Sequence, residues 1–236
     1  MKILAFDGTA KAATVAVCNG DKTLGYYTID NGLTQSELLL PMAENLLKSL
    51  KLSFYDIDLY ATSVGPGSFT GVRIGVSLIK GLAFGRDIPC IEVSTIEALA
   101  ENLHGLSGII VPCMDARRAQ VYTATFNGEN LERLCEDRAI ALSALAEELK
   151  EYSEPVYLVG DGYEVAKKAL LAEGVKLCDT PELLICQNAV SVAKVALRKY
   201  EAGEITTDRE LSPMYLRLPQ AERERLEKEK AKETEK

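Results

Sequence analysis

The sequence predicts an α/β protein built from two similar lobes, and three observations support this. The 236 residues are 47% hydrophobic, which is enough for one large core or two smaller ones. Apolar runs with strand and helix periodicity alternate along the chain. Their order, β-β-β-α-β-α-β-α, occurs twice, and the fourth strand of each repeat ends in a similar glycine turn, "SVGPG" or "LVGDG".

The first repeat covers residues 1–104. Three short runs separated by the turns Asp7-Gly8 and Asn19-Gly20 predict antiparallel strands: "KILAFDG", "ATVAVCNG" and "KTLGYYTI". Leucines at helical spacing predict a helix over "TQSELLLPMAENLLKSL", with Thr34 or Ser36 as its N-cap. The strand "DLYATSVG", the helix "FTGVRIGVSLIKGLAFG", the strand "IPCIEV" and the helix "STIEALAENL" follow.

The second repeat covers residues 105–217. It predicts the strands "GIIVPCMDA", "QVYTATFNG" and "ENLERLCED", then the helix "LSALAEELKEY", the strand "PVYLVGDG", the helix "YEVAKKALLAEG", the weak strand "VKLCD" and the helix "NAVSVAKVALRKYEAG". Two facing lobes of this order are the architecture of the actin/sugar-kinase class, in which each lobe is an RNase H-like sheet flanked by helices. Residues 218–236 are highly charged and predict a solvated, disordered tail.

Composition excludes several classes of function. The net charge of −8 disfavours nucleic-acid binding by this chain alone, although a local basic patch stays open. A single histidine, His104, excludes paired-histidine metal sites, so we expect no metal site. A serine or cysteine triad would depend on this one residue near a predicted helix end, which disfavours that class. The six cysteines form no close pair and are expected to be apolar core residues. Asp7 and Lys11 interrupt the first apolar run, which therefore lacks the apolar core of a signal peptide. We expect a cytoplasmic protein with no membrane contact.

Three turns are candidates for holding a nucleotide or another anion through backbone N–H groups. Their residues are Asp7, Gly8 and Thr9 in the first turn, Gly65, Gly67 and Ser68 in the second, and Gly160 and Gly162 in the third. The same glycines also allow a chain to turn sharply, so both interpretations stay open. Asp7, Asp115 and Asp161 could converge across a cleft as the carboxylates of a kinase do, but no further catalytic set is visible.

The predicted helix after "GPGS" contains Gly71, Gly75 and Gly81, each of which costs about 1 kcal/mol relative to alanine. Gly71 and Gly75 share one face, which predicts the close approach of another backbone. The spacing leaves three candidates for that backbone: the lobe's own sheet, the neighbouring helix, or a second chain. In the last case the contact surface would include residues of both helices: Leu39, Met42, Leu46, Leu78 and Leu82.

The segment "GPGSFTGVRIGVSLIKGLA" closely resembles the signature of the TsaB (also called YeaZ) family. The resemblance extends over nearly the whole chain, through "ILAFDGTAKAATVAV", "QSELLLPMAENLL", "VSTIEALA", "DARRAQVY" and "SPMYLR". Two departures weaken any argument for chemistry where they occur. The family usually has Asp-Thr-Ser where this chain has Asp7-Gly8-Thr9, and often His-Ser where it has Gln35-Ser36.

The resemblance implies a subunit without catalytic activity of its own. Family members dimerise with the catalytic paralogue TsaD through the first two helices of the N-terminal lobe, and some self-associate through the same surface. The ATPase subunit TsaE joins them, and the complex uses ATP and Mg²⁺ to transfer a threonylcarbamoyl group to the adenosine beside the anticodon of tRNA. This chain alone is then expected to bind no cofactor.

The resemblance also assigns residues. It implies that the Gly71 and Gly75 face, with the leucines and Met42 named above, is the partner interface. Arg117 and Arg118 are candidates for a contact with tRNA or a neighbouring subunit, or else lie in a solvated hairpin turn. The alternative function is an independent ATP-dependent kinase or ATPase of the actin superfamily, binding nucleotide near Asp7 and the two later glycine turns.

Overall fold

A computed structural model describes residues 1–217, and its first sheet has five strands. They are β1 (Lys2–Asp7), β2 (Ala13–Asn19), β3 (Lys22–Ile29), β4 (Leu59–Gly65) and β5 (Cys90–Ser94). Their order is β3-β2-β1-β4-β5, with the first three antiparallel and β4 and β5 parallel to β1. This sheet confirms the strand order of an RNase H-like lobe.

Helices cover both faces of the first sheet. On one face lie α1 (Gln35–Ser49) and α2 (Phe69–Ala83), which share a core with Leu4 and Phe6 of β1. Of the two predicted N-caps of α1, Thr34 is the one used, and its backbone N–H donates to a carboxylate oxygen of Glu37 at 2.9 Å. The helix α3 (Thr95–Glu101) follows β5 directly and packs between the two halves of the chain.

The second half builds a sheet of the same plan. Its strands are β6 (Ile109–Asp115), β7 (Gln120–Thr123), β8 (Phe126–Asn127), β9 (Arg138–Ala141) and β10 (Val156–Val159). Their order is β10-β6-β7-β9, with β8 paired to β6. The helices α4 (Leu142–Leu149), α5 (Tyr163–Ala172) and α6 (Glu182–Ile185) accompany them. Counted from β6, the neighbours repeat those of the first sheet, which confirms the two-lobed actin/sugar-kinase class.

The second lobe departs from the prediction at three places. The strand over "ENLERLCED" is absent and β9 replaces it, because Asn127 and Asn130 accept backbone N–H groups of Glu129 and Glu132 at 2.9 Å and so turn the chain locally. The weak strand "VKLCD" is reduced to a single bridge between Cys178 and Tyr157. The short helix α6 was not predicted.

The last described helix, α7 (Ala189–Glu201), lies within the predicted second lobe but packs on the first sheet. Its Val192 and Ala196 share a core with Ile3, Ala5 and Ile91, on the sheet face opposite α1 and α2. The amphipathic pattern predicts a helix but not which sheet it covers. The boundary between residues 104 and 105 therefore stays a prediction.

The chain after α7 also returns to the first lobe. Thr206 pairs with Cys90 at the edge of the sheet, Leu211 is fully buried, and the N–H of Met214 donates to the carbonyl of Val64 at 2.7 Å. This C-terminal segment, residues 204–217, covers the free edge of β5. The charged tail predicted at 218–236 lies outside the described residues.

No helix within residues 1–217 is long and apolar enough to cross a lipid bilayer.

The expectation that the cysteines are apolar core residues is met at only three positions, because Cys18, Cys90 and Cys113 are buried whereas Cys186 is exposed.

Candidate functional site

The first glycine turn is built around a buried carboxylate. Asp7 ends β1 and is 1% exposed, and it accepts hydrogen bonds from the N–H and Oγ1 of Thr9 and from Oγ of Ser63 at 2.5–2.8 Å. Desolvation raises the pKa of Asp7, and the hydrogen bonds from Ser63 and Thr9 partly offset this. The acceptors of Asp7 are therefore directed at its own turn.

The glycines of the other two turns allow the chain to approach itself closely. At Gly65, where φ is +119°, a Cβ would lie 2.4 Å from the carbonyl oxygen of Met214. At Gly160, where φ is +112°, it would lie 2.4 Å from the carbonyl oxygen of Cys113. Neither conformation nor spacing would accept a larger residue, so these glycines are explained without a ligand.

Backbone donors of all three turns are already used inside the chain. The N–H of Thr9 donates to Asp7, that of Ser68 to the carbonyl of Thr9, that of Gly160 to Ile185, and that of Gly162 to Cys113, each at 2.7–2.9 Å. A phosphate held by a turn needs such donors to be free. At these four groups the residues do not fit a nucleotide phosphate.

A cleft of about 630 Å³ lies beside these turns. Both halves of the chain line it, from Lys11 and Phe69 in the first to Asp115, Arg117 and Asp161 in the second. Asp115 and Asp161 thus face one cleft, with buried Asp7 close enough to act on the pKa of Asp161. Within residues 1–217 there is no group of three or more His, Cys, Asp or Glu side chains placed to hold a metal ion.

Asp161 has the most perturbed carboxylate of the cleft. Desolvation raises its pKa to about 6, and the negative charges of Asp115 and Asp7 add to the shift, while backbone hydrogen bonds oppose it. Asp161 is nevertheless accessible to solvent, which screens part of this interaction.

We expect Asp161→Asn to stabilise the protein at neutral pH. The folded-state pKa is raised, so the ionised form is disfavoured in the folded protein and stability falls as pH rises from about 4 through 6. After discounting for exposure the gain at pH 7.5 is at most about 1 kcal/mol, or about 2–4 °C in Tm. Thermal unfolding of both proteins at pH 4.5 and 7.5 measures it. A Tm difference that does not grow with pH would contradict the assignment.

The two glycines predicted to contact a partner face the chain's own lobe instead. A Cβ at Gly71 would lie 2.0 Å from the carbonyl oxygen of Gly8, and one at Gly75 would lie 2.9 Å from Oγ1 of Thr62. The assignment of Gly71 and Gly75 to the partner interface is therefore wrong in this fold. Of the three candidates that the spacing left open, the lobe's own first turn and sheet are the ones approached.

The neighbouring apolar residues need the same correction. Leu39, Met42 and Leu46 are each at most 4% exposed and belong to the core between α1, α2 and the sheet. Their side chains therefore serve the lobe's own core, and only Met42 borders a surface groove. Leu78 and Leu82 are half-buried at the edge of this core, so part of each remains accessible.

The accessible surface of α2 is its opposite, outer face. A groove of about 410 Å³ runs along it, lined by Phe69, Thr70, Arg73, Ile74 and Ser77. A second groove, of about 300 Å³, joins the start of this face to Leu33, which precedes α1 and is 49% exposed. The sequence interpretation missed Ile74, although it precedes Leu78 by one helical turn.

Gly81 also lies on the exposed side of α2. Among the described residues, nothing lies within 4 Å of the position that its Cβ would occupy. Unlike Gly71 and Gly75, this glycine has no packing reason within residues 1–217.

The turn between β6 and β7 has an unusual backbone. Arg117, Arg118 and Ala119 have φ values of 64°, 54° and 56°, which glycine adopts more readily than any of them. The side chain of Arg117 is 82% exposed and lies 3.4 Å from the carboxylate of Asp115. His104 is not in the cleft, since it lies 3.6 Å from Glu101 at the end of α3.

Comparison with known proteins agrees with this architecture. A family model described as TsaD, tRNA N6-adenosine threonylcarbamoyltransferase, matches residues 34–220. A protein from Bacillus subtilis (strain 168) named tRNA threonylcarbamoyladenosine biosynthesis protein TsaB is 33% identical over 98% of this chain and 100% of its own length. The chain belongs to the TsaB family.

Two further comparisons support the membership. The TsaB protein of Escherichia coli (strain K12) is 30% identical over 92% of this chain and 95% of its own length. A crystal structure from Pseudomonas aeruginosa, of an uncharacterized protein with similarity to peptidase YEAZ, has a TM-score of 0.76 at 22% identity, over 92% of this chain and 99% of that one. At that identity the second match concerns the fold alone. Members of the TsaB family carry a role in tRNA threonylcarbamoyladenosine biosynthesis in their names.

Proposed function

We propose that this TsaB-family chain is a non-catalytic subunit that binds a TsaD-type catalytic subunit and activates it. The complex would transfer a threonylcarbamoyl group to the adenosine beside the anticodon of tRNA, in the cytoplasm, with a TsaE-type ATPase, ATP and Mg²⁺. The match of this chain to a TsaD family model supports pairing, since paralogous subunits of one fold commonly associate through equivalent surfaces. The occupied N–H groups of its own turns support a non-catalytic role.

The outer face of α2 is the surface we assign to the partner. It combines half-buried Ile74, Leu78 and Leu82 with exposed Thr70 and Ser77, a mixture typical of interfaces with an apolar centre and a polar rim.

Gly81 carries this assignment. An exposed glycine inside a helix costs about 1 kcal/mol, and nothing described in this chain offsets that cost. Close approach of a partner helix would offset this cost, because the missing side chain lets the two helix backbones come together. The same face could instead receive a second copy of this chain, in which case homodimer and heterodimer would compete.

We expect Ser77→Arg to weaken binding of the TsaD-type subunit at least tenfold while leaving the fold intact. Ser77 is exposed on α2 and lines its outer groove, so a long charged side chain would be accommodated in water but not against an apolar partner. Co-purification and titration with the cognate TsaD-type subunit measure the loss.

Ser143→Arg is the matched control, because Ser143 is an exposed serine on α4, in the other lobe. Equal binding by both variants would reject the α2 surface. Failure of the unmodified chain to bind the TsaD-type subunit would reject the proposed function itself. The rival function, an independent ATP-dependent kinase, is disfavoured because four N–H groups of the turns it would use are engaged within the chain.

A further inference from the structure

The positive charge near the cleft contrasts with the composition of the chain. The chain has 35 acidic and 27 basic residues, yet Lys11, Arg117 and Arg217 line the cleft and Arg73 borders it through Phe69. Against these stand the carboxylates of Asp115 and Asp161. We call Lys11, Arg117 and Arg217, together with Arg118 of the same turn as Arg117, the basic rim; Arg73 lines the groove assigned to the partner and is not part of it.

Aromatic rings lie beside two guanidinium groups near the cleft, that of Arg73 in the partner groove and that of Arg217 in the basic rim. Arg73 lies 3.8 Å from the ring centroid of Phe69, and its Nε donates to the hydroxyl of Tyr215 at 2.7 Å. Arg217, at the end of the C-terminal segment, lies 5.6 Å from the ring of Tyr122 in the second lobe. Such stacking fixes a guanidinium plane while leaving its edge available to hydrogen-bond acceptors.

The left-handed backbone at Arg117 and Arg118 is a second observation that points to a function for the basic rim. Three successive non-glycine residues in the left-handed region cost energy, and strain of this kind is concentrated at functional sites. The tight turn between antiparallel β6 and β7 imposes this conformation, and Asp115 supports it by accepting the N–H of Arg117 at 2.8 Å, while the side chain of Arg117 stays 82% exposed. The turn therefore presents arginine where glycine would be the less strained choice.

We propose that, within the complex of the proposed function on which this inference rests, the basic rim binds the phosphate backbone of tRNA. Arginine edges match phosphate oxygens in pairs, and rings such as Tyr215, which is 41% exposed, can add a stacking surface. The acidic remainder of the chain repels a polyanion, so contact is confined to this rim. The rim positions tRNA and reads no sequence, because its ligand is the backbone.

The test compares two variants that each remove one cation from a left-handed position. Arg117→Gly removes it from the basic rim, and Lys51→Gly removes it from the far end of α1, where φ is 57°. Glycine fits both positions, so the Tm of neither variant should fall. Each is assembled with the TsaD-type subunit, and binding of labelled tRNA is followed by fluorescence anisotropy in 50 and 200 mM KCl.

We expect Arg117→Gly to bind tRNA more weakly, and the ratio of wild-type to variant affinity to be about three times larger at 50 mM than at 200 mM salt, as one lost phosphate contact requires. Lys51→Gly should bind tRNA with the affinity of the wild-type protein at both salt concentrations. Arg217→Gln, on the other side of the cleft, should show the same loss of tRNA affinity. It takes the place of Arg117→Gly as the test of the basic rim if Arg117→Gly proves unstable.

Equal, salt-independent ratios for the rim variants and Lys51→Gly would overturn the proposal. So would loss of the TsaD-type subunit from Arg117→Gly in size-exclusion chromatography, because the turn would then contact protein. Failure of the wild-type chain to form that complex is seen before any tRNA is added, and it would refute the proposed function and this inference together.

Discussion

Replacing Gly71 with alanine should lower the free energy of unfolding by about 1–3 kcal/mol. Alanine is normally the better helix former by about 1 kcal/mol, so a loss is the opposite of what helix propensity predicts. The cause is the new Cβ, which would lie 2.0 Å from the carbonyl oxygen of Gly8 and must push α2 away from the first turn. Urea unfolding followed by circular dichroism measures the change.

Gly81→Ala is the matched control on the same helix. Nothing described lies within 4 Å of its Cβ position, so this variant should gain about 0.8–1 kcal/mol. If Gly71→Ala were as stable as wild type and lost only its partner, Gly71 would contact another chain after all. Opposite signs for the two glycines would confirm that one helix presents an inner and an outer face with different reasons for lacking side chains.

The fold could be predicted from the sequence because two signals agreed along the chain. Apolar periodicity gave the type of most elements, and the repeat of their order predicted two sheets of one plan. The misplaced third strand of the second lobe has a local cause, since side-chain hydrogen bonds of Asn127 and Asn130 compete with strand pairing. The placement of α7 has a global cause, because its apolar face fits either sheet equally well by pattern.

The candidate site was less predictable. Gly71 and Gly75 predict close approach from their spacing, but spacing carries no information about which backbone approaches. Ile74 could have been found, since it lies one turn before Leu78. The resemblance to the TsaB family directed attention to the inner face of α2, because family knowledge of an interface does not say which side chains the lobe itself covers.

Two N–H groups beside the cleft, those of Thr9 and Ser68, donate to acceptors within the chain. A phosphate that bound to either of these N–H groups would have to replace an existing hydrogen bond. The cleft is then free to be used at its rim, where the arginines lie.

Replacing Asp7 with alanine should have the second large effect, a loss of about 2–4 kcal/mol. The N–H and hydroxyl of Thr9 and the hydroxyl of Ser63 would lose their acceptor, and both residues are 1% exposed, so water cannot replace it. Asp7→Asn should cost less than about 1 kcal/mol, because its carbonyl oxygen still accepts from Thr9 and its amide can donate to the oxygen of Ser63.

The two variants also separate structure from chemistry at Asp7. Desolvation raises the pKa of Asp7, so the contribution of this side chain to the free energy of unfolding weakens as pH rises above the ordinary carboxyl range. Asp7→Asn should remove that pH dependence. Urea unfolding at pH 4.5 and 7.5 tests this. Because its acceptors serve its own turn, Asp7→Asn should also leave tRNA modification by the complex unchanged. A stable Asp7→Asn protein whose complex is inactive would instead make this carboxylate a participant in the reaction. That result would support the alternative that the chain is itself an enzyme.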